Sequence, residues 1–218
     1  MIEAVIFDMD GVIINSERDH YLANQKLYKY LGISLDAVEY DRFVGLSSKI
    51  MWTEVREEFQ LKQSVDELMG LAEKAIMEHF SNIELTATVG FMDLLDYINE
   101  RSMKIAVASS SPLAMVNLVV DKLGIKDYFD LLVSGDQVEQ GKPYPDIFIH
   151  TAALLQSQPG NCMVIEDSHN GALAAKRANM NCIGYQNPSS GNQDLSICDL
   201  VVNSFLGQDL ENLLDYLW

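Results

Sequence analysis

The sequence is poor in cysteine and in basic charge, and it has no long apolar run. Its three cysteines, Cys162, Cys182 and Cys198, are an odd number without CxxC spacing. That argues against a cysteine framework and for free buried thiols in a reducing cytosol. Lys and Arg total 15 against 32 Asp and Glu, a formal net charge of −17. The deficit is spread evenly: residues 1–109 carry 19 acids and 10 bases, the remainder 13 and 5. A phosphate-rich duplex would be repelled over most of such a surface, which excludes nucleic acid as a partner. The longest uninterrupted apolar run is four residues, Ala4–Phe7 among them, so no membrane span is expected. Met1-Ile2-Glu3 opens without a basic stretch leading into an apolar one, so no secretory signal is expected and the location is read as cytoplasmic. What is present is a core. With 218 residues, 48% of them apolar and 22% charged, the chain can bury one large domain or a core with a smaller insert.

Short apolar runs alternate with helical patterns, which predicts a parallel sheet covered by helices. The runs are Ala4–Phe7, Ile105–Ala108, Leu131–Val133, Cys162–Ile165, Cys182–Tyr185 and Leu200–Val202. They read as continuous rather than alternating, as strands buried on both faces should. Phe91, Leu94, Leu95 and Ile98 form a helical stripe. Ser111-Pro112 predicts an N-cap with proline at the first helical position, and Gly124 closes that helix. Ser168 can cap the helix after the fourth run. Between about Asn15 and Ala87 the alternation stops and only helical pattern remains. Ala23, Leu27, Tyr30 and Leu31 form one stripe ended by Gly32, and Trp52, Val55 and Phe59 form a second. Ser64 with Glu67 reads as a capping box ahead of Leu68, Leu71, Ala72 and Ala75. Seventy-odd residues far exceed an ordinary crossover, so a helical domain inserted after the first strand is expected.

The chemistry-bearing residues gather at strand ends. The first strand runs into Asp8-Met9-Asp10-Gly11, two carboxylates two residues apart followed by a glycine that permits a tight turn. Ligands of open α/β sheets bind at the carboxyl ends of strands. Two such close charges need a cation or a shared proton. The second strand runs into Ser109-Ser110-Ser111, hydroxyls suited to an anionic oxygen. The third is followed by Gly141-Lys142-Pro143-Tyr144-Pro145-Asp146, a proline-stiffened loop whose lysine suits a phosphate counter-ion. The fourth ends in Glu166-Asp167-Ser168. Oxygen-only ligands of this kind favour Mg²⁺ over zinc or copper.

Taken together, Asp8-x-Asp10-Gly-Val, Ser109, Lys142 in GKPYPD, and Glu166-Asp167 in IEDSHNGALAAKRA resemble the four motifs of the haloacid dehalogenase superfamily. The resemblance covers nearly the whole chain. More narrowly, the chain is similar to the helical-cap group that holds β-phosphoglucomutase and many sugar-phosphate phosphatases. It implies an α/β fold: a Rossmann-like, doubly wound parallel sheet (1–14 and 88–218) with an α-helical cap inserted at 15–87. It also implies a phosphotransfer enzyme in which Asp8 is the nucleophile and Asp10 the general acid and base. Ser109 and Ser110 with Lys142 would bind the transferring phosphoryl group. Mg²⁺ would be held by Asp8, the carbonyl of Asp10 and Asp167, with Glu166 helping directly or through water. The second aspartate favours transfer to an alcohol or water over dehalogenation.

The cap is where the resemblance thins. His20 matches a histidine used by the mutases, or else packs as an ordinary helix histidine. The stretch from Phe43 to Lys49 resembles the cap loop that meets substrate, with Gly45 and Lys49 as candidate contacts. The Lys-Asn pair of the mutases is absent, with Glu73-Lys74-Ala75-Ile76 in its place, and Pro112-Leu113 stands where they continue with polar residues. The expected activity is therefore a Mg²⁺-dependent phosphatase of a small phosphorylated metabolite, working as a monomer, with β-phosphoglucomutase as the alternative. A phospho-receiver-like regulatory domain is the non-enzymatic rival. Receivers need about half this length and have neither a helical insert nor the second aspartate.

Overall fold

Each short apolar run becomes a strand because it has no polar side to turn toward water. Residues 2–44 and 46–217 are described in a computed structural model of the chain. The strands are β1 (Ala4–Phe7), β2 (Lys104–Ser109), β3 (Leu131–Ser134), β4 (Cys162–Glu166), β5 (Asn181–Tyr185) and β6 (Leu200–Val202). Among the described residues they form one sheet, parallel throughout, in the order β3-β2-β1-β4-β5-β6. That is the doubly wound order, whose reversal beside β1 opens a crevice at the carboxyl ends of β1 and β4.

Among the described residues four α-helices fall within the segment 15–87: α1 (Glu17–Leu31), α2 (Ala37–Tyr40), α3 (Ser48–Glu58) and α4 (Val65–Asn82). The others are α5 (Phe91–Glu100), α6 (Leu113–Leu123), α7 (Asp146–Leu154), α8 (His169–Arg177) and α9 (Gly207–Tyr216). One sheet face, from Ala4, Ile6, Ala106, Ala108, Val133 and Val164, packs with Phe148 and Ala152 of α7 and with the alanines of α8. Small residues on both sides let these helices sit close. The other face places Phe7 edge-on to Phe91 of α5 at 5.2 Å, and Tyr185 stacks on Phe205 at 4.4 Å. Among the described residues no helix is long and apolar enough to cross a membrane.

The chain divides into two compact units: Ser16–Glu84, and the sheet-bearing remainder on either side of it. In the sheet-bearing unit Ile14 forms an antiparallel bridge with Ala87, and the Thr88 N–H donates to the Ile13 carbonyl at 2.8 Å. The chain thus leaves and re-enters this unit along paired backbone. In the helical unit the capping box forms: Glu67 N–H donates to Ser64 Oγ at 3.2 Å, and Ser64 N–H to the Glu67 carboxylate at 2.8 Å. The α1 stripe is turned from the expected one. Tyr28 rather than Tyr30 is buried, its ring 6.0 Å from that of Trp52, while Tyr30 is 75% exposed. Both positions flank the Ala23–Leu27 line at helical spacing, and packing against Trp52 selects between them.

A second correction concerns α6. Pro112, not Ser111, is its N-cap, and the helix begins at Leu113. Ser111 is released from capping and bonds elsewhere.

Candidate active site

The sheet's apolar interior ends where its strands do, and the polar residues collect there. Asp8 follows β1, Ser109 ends β2, Glu166 ends β4 and Asp167 follows it; all four are buried. The Asp8 N–H donates to the Ile165 carbonyl at 3.0 Å, carrying the ladder one residue beyond β1. The chain then doubles back, with the N–H groups of Ile13 and Ile14 donating to the Met9 carbonyl at 2.9 and 3.1 Å. Gly11 sits in this turn with φ +83°, and a Cβ on it would run into the Asp167 carboxylate. Glycine is required there on both counts.

Lys142 enters from the loop ahead of α7. Its ammonium donates to Asp8 Oδ1 and Glu166 Oε1, both at 2.6 Å, and to the Ala108 carbonyl at 3.1 Å. The Phe148 ring centroid lies 5.1 Å from the same nitrogen. All of the ammonium's donors are thereby used. The other oxygen of Glu166 accepts from the N–H and the hydroxyl of Ser168, both at 2.9 Å. Ser168 in turn caps α8 by accepting from the Gly171 N–H at 3.0 Å.

Gly171 leaves the room that the Glu166 carboxylate fills, since a Cβ there would overlap it. Gly171→Ala is expected to destabilise the protein by about 1–3 kcal/mol through overpacking, although alanine is the better helix former. Denaturant unfolding measures it. A gain in stability would mean that the carboxylate moves aside without cost.

Asp8, Glu166 and Asp167 offer oxygens that all lie within 4.8 Å of one another. One ammonium serves a cluster of three carboxyl groups, an imbalance of charge. The Asp8 carboxyl registers it: burial pushes it up to about 7, Lys142 pulls the other way, and Glu166 and Asp10 add to the rise. For Lys142, burial alone would lower the pKa. Asp8 and Glu166 outweigh it and hold the group above its ordinary value, so it stays charged. An all-oxygen, buried, over-negative set fits a hard divalent cation, which would supply the missing charge.

Asp10 is half-buried and its Oδ2 accepts from the Ser111 hydroxyl at 2.7 Å. The Ser111 N–H donates to Ser109 Oγ at 3.0 Å, so the end of β2 is tied to Asp10 through Ser111. The loop after β5 adds residues that the sequence reading passed over. The Ser190 hydroxyl donates to Asp167 Oδ2. The Asn187 amide donates to the Gly11 carbonyl at 2.8 Å and accepts from the Ser189 N–H at 2.9 Å. Asn15 donates to Ser189 Oγ at 2.9 Å. A signal for this loop was there to read: Asn187-Pro188-Ser189-Ser190-Gly191 is another polar turn at the end of a buried strand.

A family model for haloacid dehalogenase-like hydrolases matches residues 5–185. The chain belongs to that family. As a haloacid dehalogenase-like protein it is an enzyme of the hydrolase and phosphotransferase kind. Among its relatives, the β-phosphoglucomutase of Bacillus subtilis (strain 168) is 31% identical, over 97% of this chain and 93% of its own length. The phosphorylated carbohydrates phosphatase of Thermotoga maritima is 30% identical over 176 residues, 81% of each chain. In the crystal structure of β-phosphoglucomutase from Clostridium difficile the fold superposes with a TM-score of 0.81. That match has 30% identity and covers 99% of this chain and 96% of the other.

Of the expected site residues, Asp8, Lys142, Glu166 and Asp167 form one cluster, and Asp10 and Ser109 are joined through Ser111. Ser110 follows β2 and is exposed. His20 and Lys49 lie in the helical unit. The His20 ring is 5.2 Å from that of Phe80, and Lys49 is exposed in the first turn of α3. Gly45 lies outside the described residues.

Proposed function

We propose that this haloacid dehalogenase-like enzyme is a Mg²⁺-dependent phosphatase of a small phosphorylated metabolite of the sugar-phosphate kind, acting in the cytoplasm as a monomer. The observation that carries the reading is the placement of Asp8. A buried carboxylate at a strand end, held by Lys142 at 2.6 Å, has a second carboxylate two residues on that is steered by Ser111. The free thiols of Cys162, Cys182 and Cys198 support a reducing compartment.

An Asp8 oxygen attacks phosphorus and forms the acyl phosphate while the bond to the ester oxygen breaks; Asp10 gives that oxygen its proton and the alcohol leaves. Water then attacks the phosphorus of phospho-Asp8. Asp10 takes up the water proton, and phosphate leaves with the Asp8 carboxylate restored. Lys142 and the hydroxyl of Ser109, with Ser110, receive the phosphoryl oxygens, whose charge is otherwise repelled by Asp8. Asp8, Asp167 and the Asp10 carbonyl would hold Mg²⁺, which when bound cancels charge between phosphoryl group and carboxylate. Glu166 has both oxygens engaged by Lys142 and Ser168, which supports a role behind this first layer. Substrate choice we assign to the helical segment 15–87 as cap, with His20, Gly45 and Lys49 as its contacts.

The rival reading, phosphoryl transfer to a second sugar phosphate, is favoured by the similarity to the two β-phosphoglucomutases. Against it stands α4, where Ala75-Ile76 replaces the charged and amide pair. Fewer contacts for a second phosphate mean weaker protection of phospho-Asp8 from water, since each charge-assisted hydrogen bond is worth about 1.5–3 kcal/mol.

The test supplies an aryl phosphate with Mg²⁺, then β-glucose 1-phosphate with catalytic glucose 1,6-bisphosphate. Hydrolysis of the aryl ester that EDTA abolishes, with free phosphate outrunning glucose 6-phosphate, is expected. Full activity in EDTA overturns the metal requirement, and rapid glucose 6-phosphate formation without free phosphate makes the enzyme a mutase.

A further inference from the structure

The loop after β5 begins with Asn187 and Ser190 at the site and ends with Cys198. The Cys198 sulfur lies 3.6 Å from the sulfur of Cys182 in β5. It occupies space left by Gly184, where a Cβ would stand 3.0 Å from it. Cys182 is buried and immobilised. Its residue pairs with Val164 of β4, its N–H donates to Asp199 Oδ2, and its carbonyl accepts from the Asp199 N–H, the last two at 2.8 Å. Cys198 is half-buried, so a small oxidant reaches it first. The third cysteine is elsewhere: Cys162 begins β4 and its thiol donates to the Gln158 carbonyl at 3.4 Å.

We propose that Cys182 and Cys198 are a reversible oxidation site whose disulfide loosens the hold of Ser190 on Asp167. The regulatory half of this proposal rests on the reading of Asp167 as a cation-binding residue. The oxidant is a hydroperoxide. Its terminal oxygen passes to Cys198, giving the sulfenic acid and the corresponding alcohol, or water from hydrogen peroxide. The Cys182 thiol then attacks that sulfur, the S–S bond forms, and the sulfenic oxygen leaves as water. The two thiols supply the two electrons. A dithiol reverses the bond by exchange.

Bond formation draws the sulfurs from 3.6 Å to about 2.05 Å. With β5 fixed between its neighbours, the Cys198 end must move. The Cys198 N–H is bonded to the carbonyl of buried Leu195 at 3.0 Å, so the shift enters the loop. Within the loop Gln193 ties the Ser190 carbonyl (2.8 Å) to the His169 N–H (3.1 Å). Ser190 is therefore displaced against Asp167. Loss of such an outer partner lowers cation affinity by about 10–100-fold.

The experiment treats the reduced full-length protein with hydrogen peroxide, alkylates the remaining thiols and maps the peptides by mass spectrometry. Aryl phosphate turnover and the Mg²⁺-induced rise in Tm are followed across a Mg²⁺ titration. Expected are a single Cys182–Cys198 bridge with loss of two hydrogens and Cys162 still alkylated. The Mg²⁺ concentration needed for half-maximal effect should rise about tenfold in both readouts. Dithiothreitol should reverse all of it, and Cys198→Ser should show none of it. Thiols that stay alkylatable, or pass to sulfinic acid without a bridge, overturn the oxidation site. A bridge that leaves both Mg²⁺ titrations unchanged overturns the coupling. A reduced protein that hydrolyses no phosphate ester sinks the phosphatase reading instead, while the bridge and the thermal titration still decide this one.

Discussion

Asp8→Asn is expected to end turnover without any covalent phosphate, whereas Asp10→Asn should keep the covalent step and lose the proton transfers. An amide at position 8 cannot form an acyl phosphate, so intact-mass measurement after substrate addition should find no added phosphate. At position 10 the amide oxygen can still accept from the Ser111 hydroxyl, now 2.7 Å from Asp10 Oδ2, so the geometry is retained. What is lost is the proton for the leaving oxygen and the base for water, a drop of about a hundred- to ten-thousand-fold. Acetyl phosphate separates the two roles because its leaving group needs little protonation. With it, the Asp10→Asn protein should accumulate phospho-Asp8, since water is no longer activated. Equal residual rates with no trapped intermediate in either variant would count against the covalent route.

The same Asp8→Asn protein should be more stable than the wild type when metal is removed. The Asp8 carboxyl is raised from its ordinary value of 3.8 to about 7 in the folded protein. Between those values the folded state holds a proton that the unfolded chain has lost. Stability therefore falls as pH rises through that window, and the penalty is complete above about pH 7. Removing the carboxyl removes the penalty. Thermal scans in EDTA should show the variant ahead at about pH 8 and level with the wild type near pH 4. Adding Mg²⁺ should favour the wild type. Function here asks for a cluster of charge that folding alone would discard.

The strands were legible because parallel strands are buried on both faces, which leaves runs such as Ala4–Phe7 and Cys162–Ile165 without a polar interruption. Strand-end residues were legible for a related reason. Where an unbroken apolar run stops at Asp8 or at Glu166-Asp167, the first polar side chains mark the rim of the sheet. Less accessible was which polar neighbour serves which carboxylate. Ser111 looks like a helix cap by local rules, yet its hydroxyl goes to Asp10, a residue 101 positions away. Local propensity ranks caps but does not see a distant acceptor. Asn187 bonds to Gly11 across 176 positions, and Ser190 reaches Asp167 from a loop 23 positions on. The Tyr28–Tyr30 exchange on α1 has the same origin, since periodicity defines an arc and only Trp52 defines its edge.

Lys142→Met should combine the largest loss of stability with a large loss of rate, and pH and Mg²⁺ separate the two. The Lys142 side chain is 7% exposed, and its ammonium contacts Asp8 and Glu166 at 2.6 Å, with the Ala108 carbonyl at 3.1 Å. Methionine fills much of the same volume over Phe148 but leaves two buried carboxylates facing each other without a cation. Breaking a buried pair in this way costs about 3–5 kcal/mol. In EDTA near neutral pH the variant should therefore unfold well before the wild type. Losing Lys142 removes the charge and the hydrogen bond that lower the Asp8 pKa, so Asp8 takes up a proton more readily and the gap narrows as pH falls. Mg²⁺ should also narrow it by supplying positive charge beside Asp8. Activity should not return with stability. The phosphoryl group has lost a fixed donor, and removal of one such donor lowers turnover by about a hundred- to thousand-fold. Lys142→Arg should not rescue the rate, because a planar fork does not reproduce three bonds converging on one nitrogen. Measuring turnover at saturating Mg²⁺, where the variant is folded, isolates this effect. Wild-type turnover under those conditions would reduce Lys142 to a structural counter-ion and remove it from the phosphoryl site.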